Sequence, residues 1–288
     1  MKVCLACAHR FASATWTCPS CGWAPELDGE PRFAPDLAFG DPGFVEESFE
    51  LLASIEQSSF WFRSRNDLIA WALGKYFPEA ESLLEVGCGT GFVLAGLQRH
   101  FPEIELVGAE LFASGLAVAR RRLPDTTLYQ MDARRIPFEQ EFDVVCAFDV
   151  LEHVHEDEEV LQQLCQAAKQ GGGVLITVPQ HPRLWSAVDD FSRHRRRYTR
   201  RELARKLEDA GLAVTRTTSF VTLLLPALVA SRVLHRGDDD FDPETEYRMP
   251  ARIDATLERV MTLERRLIER GASFRIGGSL LAVATRPE

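Results

Sequence analysis

The chain has 288 residues, of which 45% are hydrophobic and 26% are charged, a composition typical of a globular protein with a sizeable core. Its 43 acidic and 33 basic side chains leave a formal net charge of −10, which argues against a protein that coats nucleic acid through a general basic surface. The longest apolar run, residues 220–230, contains Thr222 and Pro226 and is shorter than the roughly 20 residues that span a bilayer, so we predict no transmembrane segment. The N-terminus lacks the apolar core of a signal peptide, and we therefore expect a cytoplasmic protein.

Four cysteines near the start of the chain form two C-x-x-C pairs, Cys4 with Cys7 and Cys18 with Cys21. Four thiolates at this spacing can close a tetrahedral zinc site, and the disulfide alternative conflicts with the expected cytoplasmic location. Because four sulfurs leave no open coordination position, we expect a structural zinc that replaces a core which about 25 residues cannot build. The sequence predicts a zinc-ribbon-like module over residues 1–26.

A proline-rich segment follows this module. Residues 25–42 contain four prolines together with glycines and acidic residues, which favours a linker over 27–43 rather than a packed element. One larger domain is predicted over 44–288. Its apolar spacing begins with two helices between about 44 and 77, joined through the aromatic cluster of residues 60–62.

Strand and helix patterns alternate from residue 83 onward. We predict strands at 83–86, 105–110, 128–132, 143–149 and 173–178, with helices at 91–100, 113–122 and 157–169. A helix at 200–210, a strand at 213–219, a helical insertion at about 222–270 and a last strand near 279–285 complete the pattern. Strands separated by helices of about ten residues imply parallel crossover units. The predicted fold class is α/β, with a Rossmann-like, open, mostly parallel sheet that carries helices on both faces.

Three glycines, Gly87, Gly89 and Gly91, stand at alternate positions where the strand 83–86 runs into a helix. Glycine lacks a Cβ, so a ligand can approach this loop and the N-terminus of the next helix closely. The spacing G-x-G-x-G differs from the patterns of dinucleotide folds and phosphate loops. By itself the loop could also be a purely structural turn.

Acidic residues recur where the predicted strands end, at Glu85, Glu110, Asp132 and Asp149. Ligands of open α/β sheets bind beyond the carboxyl ends of the strands. Each of these carboxylates alone could be a helix cap or a solvated turn. Four of them in register favour a binding site along this edge.

Residues 82–220 resemble the class I S-adenosylmethionine-dependent methyltransferases. The resemblance rests on the segments LLEVGCGTG at 83–91, LVGAE at 106–110, MDA at 131–133, FDVLEHV at 148–154, GGGVLITVP at 171–179 and HRRRYT at 194–199. A nicotinamide oxidoreductase is the competing class of enzyme. The glycine spacing and the lack of an identifiable hydride-transfer pair argue against it.

The resemblance implies that S-adenosylmethionine is the cofactor. Glu110 would hold the ribose hydroxyls, because a carboxylate can accept both protons of a diol, and Asp132 would meet the adenine amine. The implied cofactor-binding residues are Glu85, Gly87, Cys88, Gly89, Gly91, Glu110, Leu111, Met131, Asp132, Ala133, Phe148 and Asp149.

The implied reaction is methyl transfer to a small or lipid-linked metabolite, with oxygen as the expected acceptor atom. His153 is the candidate base, because imidazole titrates near neutral pH, and Asp149 lies beside it in the same motif. His153 could equally cap or pack the following helix. Asp149, Glu152 and His153 could instead converge on a divalent metal, since the motif is similar to acidic-plus-His clusters of ubiquinone-pathway O-methyltransferases.

The segment 193–206 holds eight Lys and Arg residues and a single acidic one. It follows the fifth strand of the resemblance, where substrate contacts are expected, so His194, Arg197 and Tyr198 are the candidate acceptor-binding residues. A solvated helix start balanced by nearby aspartates is the alternative. The run 220–230 could form an apolar lid, contact a membrane surface peripherally, or be ordinary core, and residues 60–63 could form a second lid.

Two other functions stay open at this point. An RNA methyltransferase would use the zinc module and the segment 193–206 to hold RNA, although the overall charge argues against a nucleic-acid partner. A non-catalytic zinc-ribbon adaptor would carry a degenerate cofactor domain. The intact glycine loop and Glu110 argue against the adaptor.

Overall fold

The computed structural model describes residues 1–39, 48–234 and 249–288, with the side chains of 231–234 also left undescribed. The strands are β1 Lys2–Val3, β2 Arg10–Phe11, β3 Glu26–Asp28, β4 Glu30–Arg32, β5 Ser82–Val86, β6 Glu105–Glu110, β7 Thr127–Gln130, β8 Phe142–Phe148, β9 Ala168–Pro179, β10 Ala213–Phe220 and β11 Ser279–Thr285. The α-helices are α1 Ser48–Ile55, α2 Phe60–Tyr76, α3 Phe92–His100, α4 Ala113–Arg122, α5 Asp157–Ala167, α6 Ala187–Phe191, α7 Arg200–Asp209, α8 Leu225–Leu234 and α9 Ala251–Glu269. Short 3-10 helices lie at Pro35–Leu37, Leu151–His153 and Pro182–Leu184.

Within the described ranges, nine strands form one sheet in the order β10-β11-β9-β8-β5-β6-β7-β4-β3. Strands β5 to β9 pair in parallel, whereas β11 runs antiparallel to both β9 and β10. Strands β6 and β7 lie on one side of β5, and strands β8 and β9 lie on the other. The direction in which successive strands are added to the sheet therefore reverses at β5. The predicted fold class, an open and mostly parallel α/β sheet, is confirmed.

The centre of the sheet is apolar because it is covered on both faces. Val144, Val145, Cys146 and Ala147 in β8 are all fully buried, as expected for a parallel strand between two helical layers. One face packs against α5 and α7, and the other packs against α2 and α3. Strand β9 begins at Ala168 rather than at 173, because Phe142 already pairs with Ala168.

A hairpin occupies part of the segment that the sequence predicts to be a linker. Strands β3 and β4 pair with each other, and Arg32 of β4 pairs with Gln130 of β7, so they extend the sheet. The Gln130 side chain also exchanges hydrogen bonds with the backbone of Ala34, at 2.9 Å and 2.7 Å. Pro31 does not prevent this packing, because it lies opposite Leu27 of β3 and only Arg32 of β4 pairs with β7. The described part of 27–43 is therefore packed, residues 40–43 lie outside the described ranges, and the domain boundaries stay a prediction.

The four-cysteine module rests on this extended edge. The ring of Trp16 lies 4.6 Å from that of Phe33, 5.6 Å from that of Tyr129 and 5.4 Å from that of Phe138, measured between centroids. The backbone N–H of Val3 also donates to the carbonyl of Pro137 at 2.9 Å. The module is thus joined to the main sheet through aromatic packing and backbone hydrogen bonds.

Helices α8 and α9 lie where the sequence predicts a helical insertion, although residues 235–248 of it fall outside the described ranges. Helix α9 packs along α2, and Arg63 donates to Asp254 at 2.6 Å and to Glu258 at 2.8 Å. Glu264 accepts from the backbone N–H groups of Thr222 and Leu223, each at 2.7 Å. These contacts join α9 to α2 and to the turn before α8, and Leu228 of α8 lies beside Gly278 at the amino end of β11.

Candidate active site

A cavity of about 780 Å³ opens at the carboxyl ends of β5, β6 and β8. It is lined by most of the site residues that the sequence predicts, namely Glu85, Gly87, Cys88, Gly89, Glu110, Leu111, Met131, Asp132, Ala133, Phe148, Asp149, His153, His194 and Arg197. Gly91 and Tyr198 do not line it. The sheet therefore gathers residues that lie more than 100 positions apart in the chain.

The glycine loop brings bare backbone to the cavity wall. Gly87 has a φ of +73°, and a Cβ built there would lie 2.5 Å from the Val150 side chain, so only glycine fits. Gly91 precedes α3 with a φ of +72°, and its Cβ would lie 3.0 Å from Leu123. Gly91 thus shapes the turn behind the cavity and is not among the residues that line it.

Glu110 ends β6 and is held by three backbone N–H groups. Its carboxylate accepts from Gly89 at 2.9 Å, from Leu111 at 2.8 Å and from Phe112 at 3.1 Å. Burial raises the pKa of Glu110, and these three hydrogen bonds oppose that shift. Since a carboxylate has about four acceptor positions, one remains to accept from a ligand in the cavity.

Glu85 is buried in β5 below the glycine loop, with 2% of its surface exposed. Burial raises its pKa to about 8, with the charge of Glu110 adding to the shift and Arg65 opposing it. Its Oε2 atom makes no hydrogen bond with the described residues. The glycine-loop end of the cavity, formed by Glu85, Gly87, Gly89, Glu110 and Asp132, is therefore strongly acidic in composition.

Asp132 follows β7 and is paired with Arg134. The guanidinium Nη2 lies 2.8 Å from Oδ2, and Nε lies 3.0 Å from Oδ1. Arg134 also reaches Glu156 at 3.1 Å, and its pKa is raised mainly by its hydrogen bond to Asp132. The sequence carries no signal that distinguishes Arg134, because its role depends on the turn that brings it back onto Asp132.

Asp149 follows β8 with a φ of +56° and forms an ion pair with Arg65 of α2. The Arg65 guanidinium stacks over the ring of Trp61, 4.7 Å from its centroid. Arg63, which the sequence places in a lid, instead points to Asp254 and Glu258 and does not line the cavity. No local signal in the sequence distinguishes Arg65 from Arg63, because the contact of Arg65 with Asp149 spans 84 positions.

Glu152 lies one turn after Asp149 and is fully buried. Neither of its carboxylate oxygens makes a hydrogen bond with the described residues. Burial raises its pKa well above the usual range, and the charge of Asp149 adds to this effect. One donor atom each from Glu152, His153 and His194 lies within 4.8 Å of the others, whereas Asp149 is not part of this group. The set Asp149, Glu152 and His153 considered from the sequence is therefore not the set that the structure brings together.

Asp189 of α6 orients two residues of the basic segment. It lies 2.8 Å from His194 Nδ1 and accepts from Arg197 Nε at 2.7 Å. Burial alone would raise the pKa of Asp189, but these two partners outweigh it and lower the pKa to about 2. Both His194 and Arg197 line the cavity, as predicted.

Tyr198 is directed away from the cavity into the packing of α5 and α7. It is fully buried, and its hydroxyl donates to Asp157 at 2.7 Å. Lys206 reaches the same carboxylate at 2.6 Å, and Arg196 reaches it at 2.8 Å. The burial of a large aromatic ring decides the position of Tyr198, so it is a packing residue and not an acceptor contact.

The far end of the cavity is apolar. The sequence predicts only part of it, through the apolar run 220–230. Phe191, Leu224, Leu228 and Leu257 form this apolar end, contributed by α6, the turn before α8, α8 itself and α9. Leu228 lies beside Gly278, which precedes β11. Three regions therefore follow one another along the cavity. The glycine-loop end lies at β5 to β7, and the apolar end lies beyond β9 and β11. Between them, at β8, is a region that we call the junction, formed by Asp149, Glu152, His153 and His194.

The four N-terminal cysteines converge at a separate place. Sγ of Cys4 lies 3.6 Å from Sγ of Cys21, and Sγ of Cys7 lies 3.7 Å from Sγ of Cys18. Four sulfurs bound to one zinc at about 2.3 Å would lie roughly 3.8 Å apart at the corners of a tetrahedron. The spacing therefore fits a tetrahedral metal and is too long for disulfide bonds.

Residues 57–217 match the protein family described as methyltransferase domain, and this match covers more than half of the chain. The chain therefore belongs to the class I S-adenosylmethionine-dependent methyltransferases. Its fold is similar to that of the geranyl diphosphate C-methyltransferase of Streptomyces coelicolor, solved with Mg²⁺, geranyl diphosphate and S-adenosyl-L-homocysteine. That comparison has a TM-score of 0.53 at 18% identity and covers 86% of this chain and 87% of the other.

Curated relatives act on different kinds of acceptor. The dTDP-3-amino-3,6-dideoxy-alpha-D-glucopyranose N,N-dimethyltransferase of Streptomyces fradiae is 35% identical over 48% of this chain and 53% of that protein. The ubiquinone biosynthesis O-methyltransferase of Azoarcus sp. strain BH72 is 32% identical over 37% of this chain and 48% of that protein. This chain thus spans about half the length of the curated relatives it matches. A helix able to cross a bilayer is not found in residues 1–39, 48–234 and 249–288.

Proposed function

We propose that this protein transfers a methyl group from S-adenosylmethionine to a hydroxyl group of a small or lipid-linked metabolite. The observation that carries the proposal is the single cavity with an acidic glycine-loop end, an apolar end and His153 between them. The cofactor supplies a methyl group that is already reactive toward a nucleophile. The protein must align the acceptor, exclude water and accept a proton.

The glycine-loop end would hold the cofactor. Glu110 would accept a hydrogen bond from a ribose hydroxyl, since its carboxylate is fixed by three N–H groups and keeps one acceptor position. Gly87 leaves room that a side chain would fill, and the unpartnered oxygen of Glu85 can accept from a ligand. Asp132, with Met131 and Ala133 beside it, would contact the adenine.

His153 at the junction is the proposed base for a hydroxyl acceptor. It lines the cavity between the glycine loop and the apolar end, and its backbone N–H is bonded to Val150 within the short 3-10 helix. An imidazole there could accept the hydroxyl proton as the new bond to carbon forms. Asp149 would act through its charge and through its ion pair with Arg65.

The apolar end supports an acceptor with a hydrocarbon part. Leu223 and Val229 beside it are 38% and 39% exposed, so a lipid-linked acceptor could enter from a membrane surface that this region touches peripherally. The basic segment supports RNA binding poorly, because Arg196, Arg197 and Lys206 are engaged in ion pairs with buried aspartates.

The test is a matched set of acceptors offered with S-adenosylmethionine that carries a tritiated methyl group. The set contains a catechol with a long isoprenoid chain, the same catechol without the chain, and an amine analogue of each. We expect labelling of the hydroxyl compounds, with kcat/KM at least about tenfold higher for the chain-bearing one, as burial of several methylenes predicts. His153→Ala should lower kcat, whereas His100→Ala on the exposed end of α3 serves as the matched control. Labelling of the amines alone would overturn the oxygen assignment, and no labelling of any compound would overturn the proposed acceptor class.

We further propose that Cys4, Cys7, Cys18 and Cys21 bind one structural zinc ion. Their sulfur spacing supports this site, and their distance from the cavity lining supports a role outside the reaction. Replacing Cys4 and Cys7 with Ser should remove about one zinc per chain by elemental analysis. The thermal midpoint should also fall, because the packing of Trp16 on the sheet edge depends on the module. Cys165→Ser on α5 is the matched control, and unchanged zinc content in the double variant would contradict the site.

A further inference from the structure

The Glu152 carboxylate and the His194 imidazole lie close together at the junction without a hydrogen bond between them. The Glu152 carboxylate is fully buried, lines the cavity, and has no hydrogen-bond partner on either oxygen among the described residues. His194 Nε2 lies 4.0 Å from Oε1 of this carboxylate, which is too long for a hydrogen bond. Burial of an ionised carboxylate without partners is costly, and a cation bound beside Glu152 would offset that cost.

The orientation of His194 is fixed from behind. Its Nδ1 atom lies 2.8 Å from Asp189 Oδ1, and that carboxylate also accepts from Arg197 Nε at 2.7 Å. Because an ionised carboxylate only accepts hydrogen bonds, Nδ1 donates to Asp189, and Nε2 is the ring nitrogen on the side of Glu152. A histidine held by a carboxylate on one nitrogen, with the other nitrogen free to coordinate, is the usual arrangement around protein-bound metals.

His153 completes the set of donors. Its ring centroid lies 4.8 Å from that of His194 with the two planes at 80°, so the rings do not stack face to face. One donor atom from each of Glu152, His153 and His194 lies within 4.8 Å of the others. Ligands bound to one ion at about 2.1 Å lie roughly 3 to 4 Å apart, so small side-chain rotations would close the site.

We propose that Glu152, His153 and His194 bind one divalent transition-metal cation at the junction of the cavity. Two imidazoles and one carboxylate suit Mn²⁺, Fe²⁺, Co²⁺ or Zn²⁺ and leave coordination positions open toward the cavity. This site differs from the four-thiolate site in ligand type and in position. The site shares His153 with the proposed function, and a bound cation would hold that imidazole as a ligand in place of its role as the base. The assignment of the methyl donor to the glycine-loop end does not depend on the metal. A cation there favours an oxygen acceptor over a positively charged ammonium one.

The test is a Mn²⁺ titration of the full chain, with free Mn²⁺ measured by electron paramagnetic resonance. Mn²⁺ prefers oxygen and imidazole ligands and competes poorly for thiolates, so zinc bound by the cysteines does not interfere. We expect one Mn²⁺ per chain, with affinity lowered at least about tenfold in Glu152→Gln and in His194→Ala. Asp189→Asn, which is not a proposed ligand and would act through the orientation of His194, should lower affinity by roughly 10-fold. His100→Ala is the matched control and should bind as the parent does.

A second measurement on the unaltered protein covers the case in which a variant fails to fold. Pulsed electron paramagnetic resonance of bound Mn²⁺ should show coupling to two imidazole nitrogens. Absence of stoichiometric Mn²⁺, absence of nitrogen coupling, or parental affinity in both Glu152→Gln and His194→Ala would each overturn the metal site. Calorimetry with S-adenosylmethionine in the presence of a chelator separates the two proposals. Cofactor binding without any metal binding removes only the metal site, and metal binding without cofactor binding removes only the proposed function.

Discussion

Glu110 and Glu152 are both buried carboxylates that line the same cavity, yet the protein treats them in opposite ways. Glu110 accepts from three backbone N–H groups that the glycine loop and the turn after β6 provide. Glu152 accepts no hydrogen bond from the described residues. The glycine-loop end is therefore organised before any ligand arrives, because backbone geometry alone satisfies its central acid. At the junction no such donors reach Glu152 from the described residues, and burial raises the pKa of this carboxyl well above its usual range.

The largest expected effect concerns the organised end. Replacing Glu110 with Ala should weaken binding of S-adenosylmethionine at least about 100-fold by calorimetry, since hydrogen bonds to a charged group contribute roughly 1.5–3 kcal/mol each. Glu110→Gln keeps one acceptor oxygen and should weaken binding less. Glu103→Ala, at an exposed position before β6, is the matched control. Parental affinity in a folded Glu110→Ala variant would remove the ribose assignment and with it this half of the comparison.

A smaller effect is expected at the apolar end. Leu228→Asp places a charge on the cavity wall and should raise KM for a chain-bearing acceptor about tenfold or more, because burial of a Leu side chain contributes roughly 1.5–3 kcal/mol. Affinity for S-adenosylmethionine should stay the same, since Leu228 lies beyond β9. Val229→Asp, on the exposed side of the same helix, is the matched control. Equal KM values in the two variants would show that the acceptor does not use the apolar end.

The smallest effect concerns Glu85. One of its carboxylate oxygens lacks a hydrogen-bond partner among the described residues, so it is intermediate between Glu110 and Glu152 in this respect. Its folded pKa of about 8 exceeds the unfolded value of about 4.3, so between these values the folded chain keeps a proton that the unfolded chain has lost. The free energy of unfolding should therefore fall as pH rises from about 5 to 8, by up to about 1.4 kcal/mol per pH unit relative to Glu85→Gln. Denaturant titrations at fixed ionic strength measure this slope.

Below about pH 4.3 and above pH 8 the difference between the two proteins should be constant, because Glu85 then has the same protonation in both states. Glu79→Gln at an exposed position is the matched control. A parallel pair of pH profiles for the parent and Glu85→Gln would show that Glu85 is not protonated in the folded protein at neutral pH.

Local patterns determined much of this molecule. The alternation of strands and helices, the glycine loop and the acids at the strand ends follow from periodicities of a few residues, and the parallel sheet then places Glu85, Glu110, Asp132 and Asp149 on one edge. The paired C-x-x-C spacing likewise brings four sulfurs together, because each pair needs only one turn of chain. These features were predictable since the residues that define them are neighbours in sequence or are aligned by strand register.

Contacts between distant segments were decided only by the tertiary structure. Arg65 meets Asp149 across 84 positions, and His194 meets Glu152 because the loop after β9 returns over β8. Tyr198 turned inward, since burial of its ring and its bond to Asp157 outweighed exposure to the cavity. The hairpin β3–β4 joined the sheet edge because unpaired strand groups on β7 were available to it. A sequence specifies which side chains are present, but their partners depend on how the layers pack, and packing is a property of the whole chain.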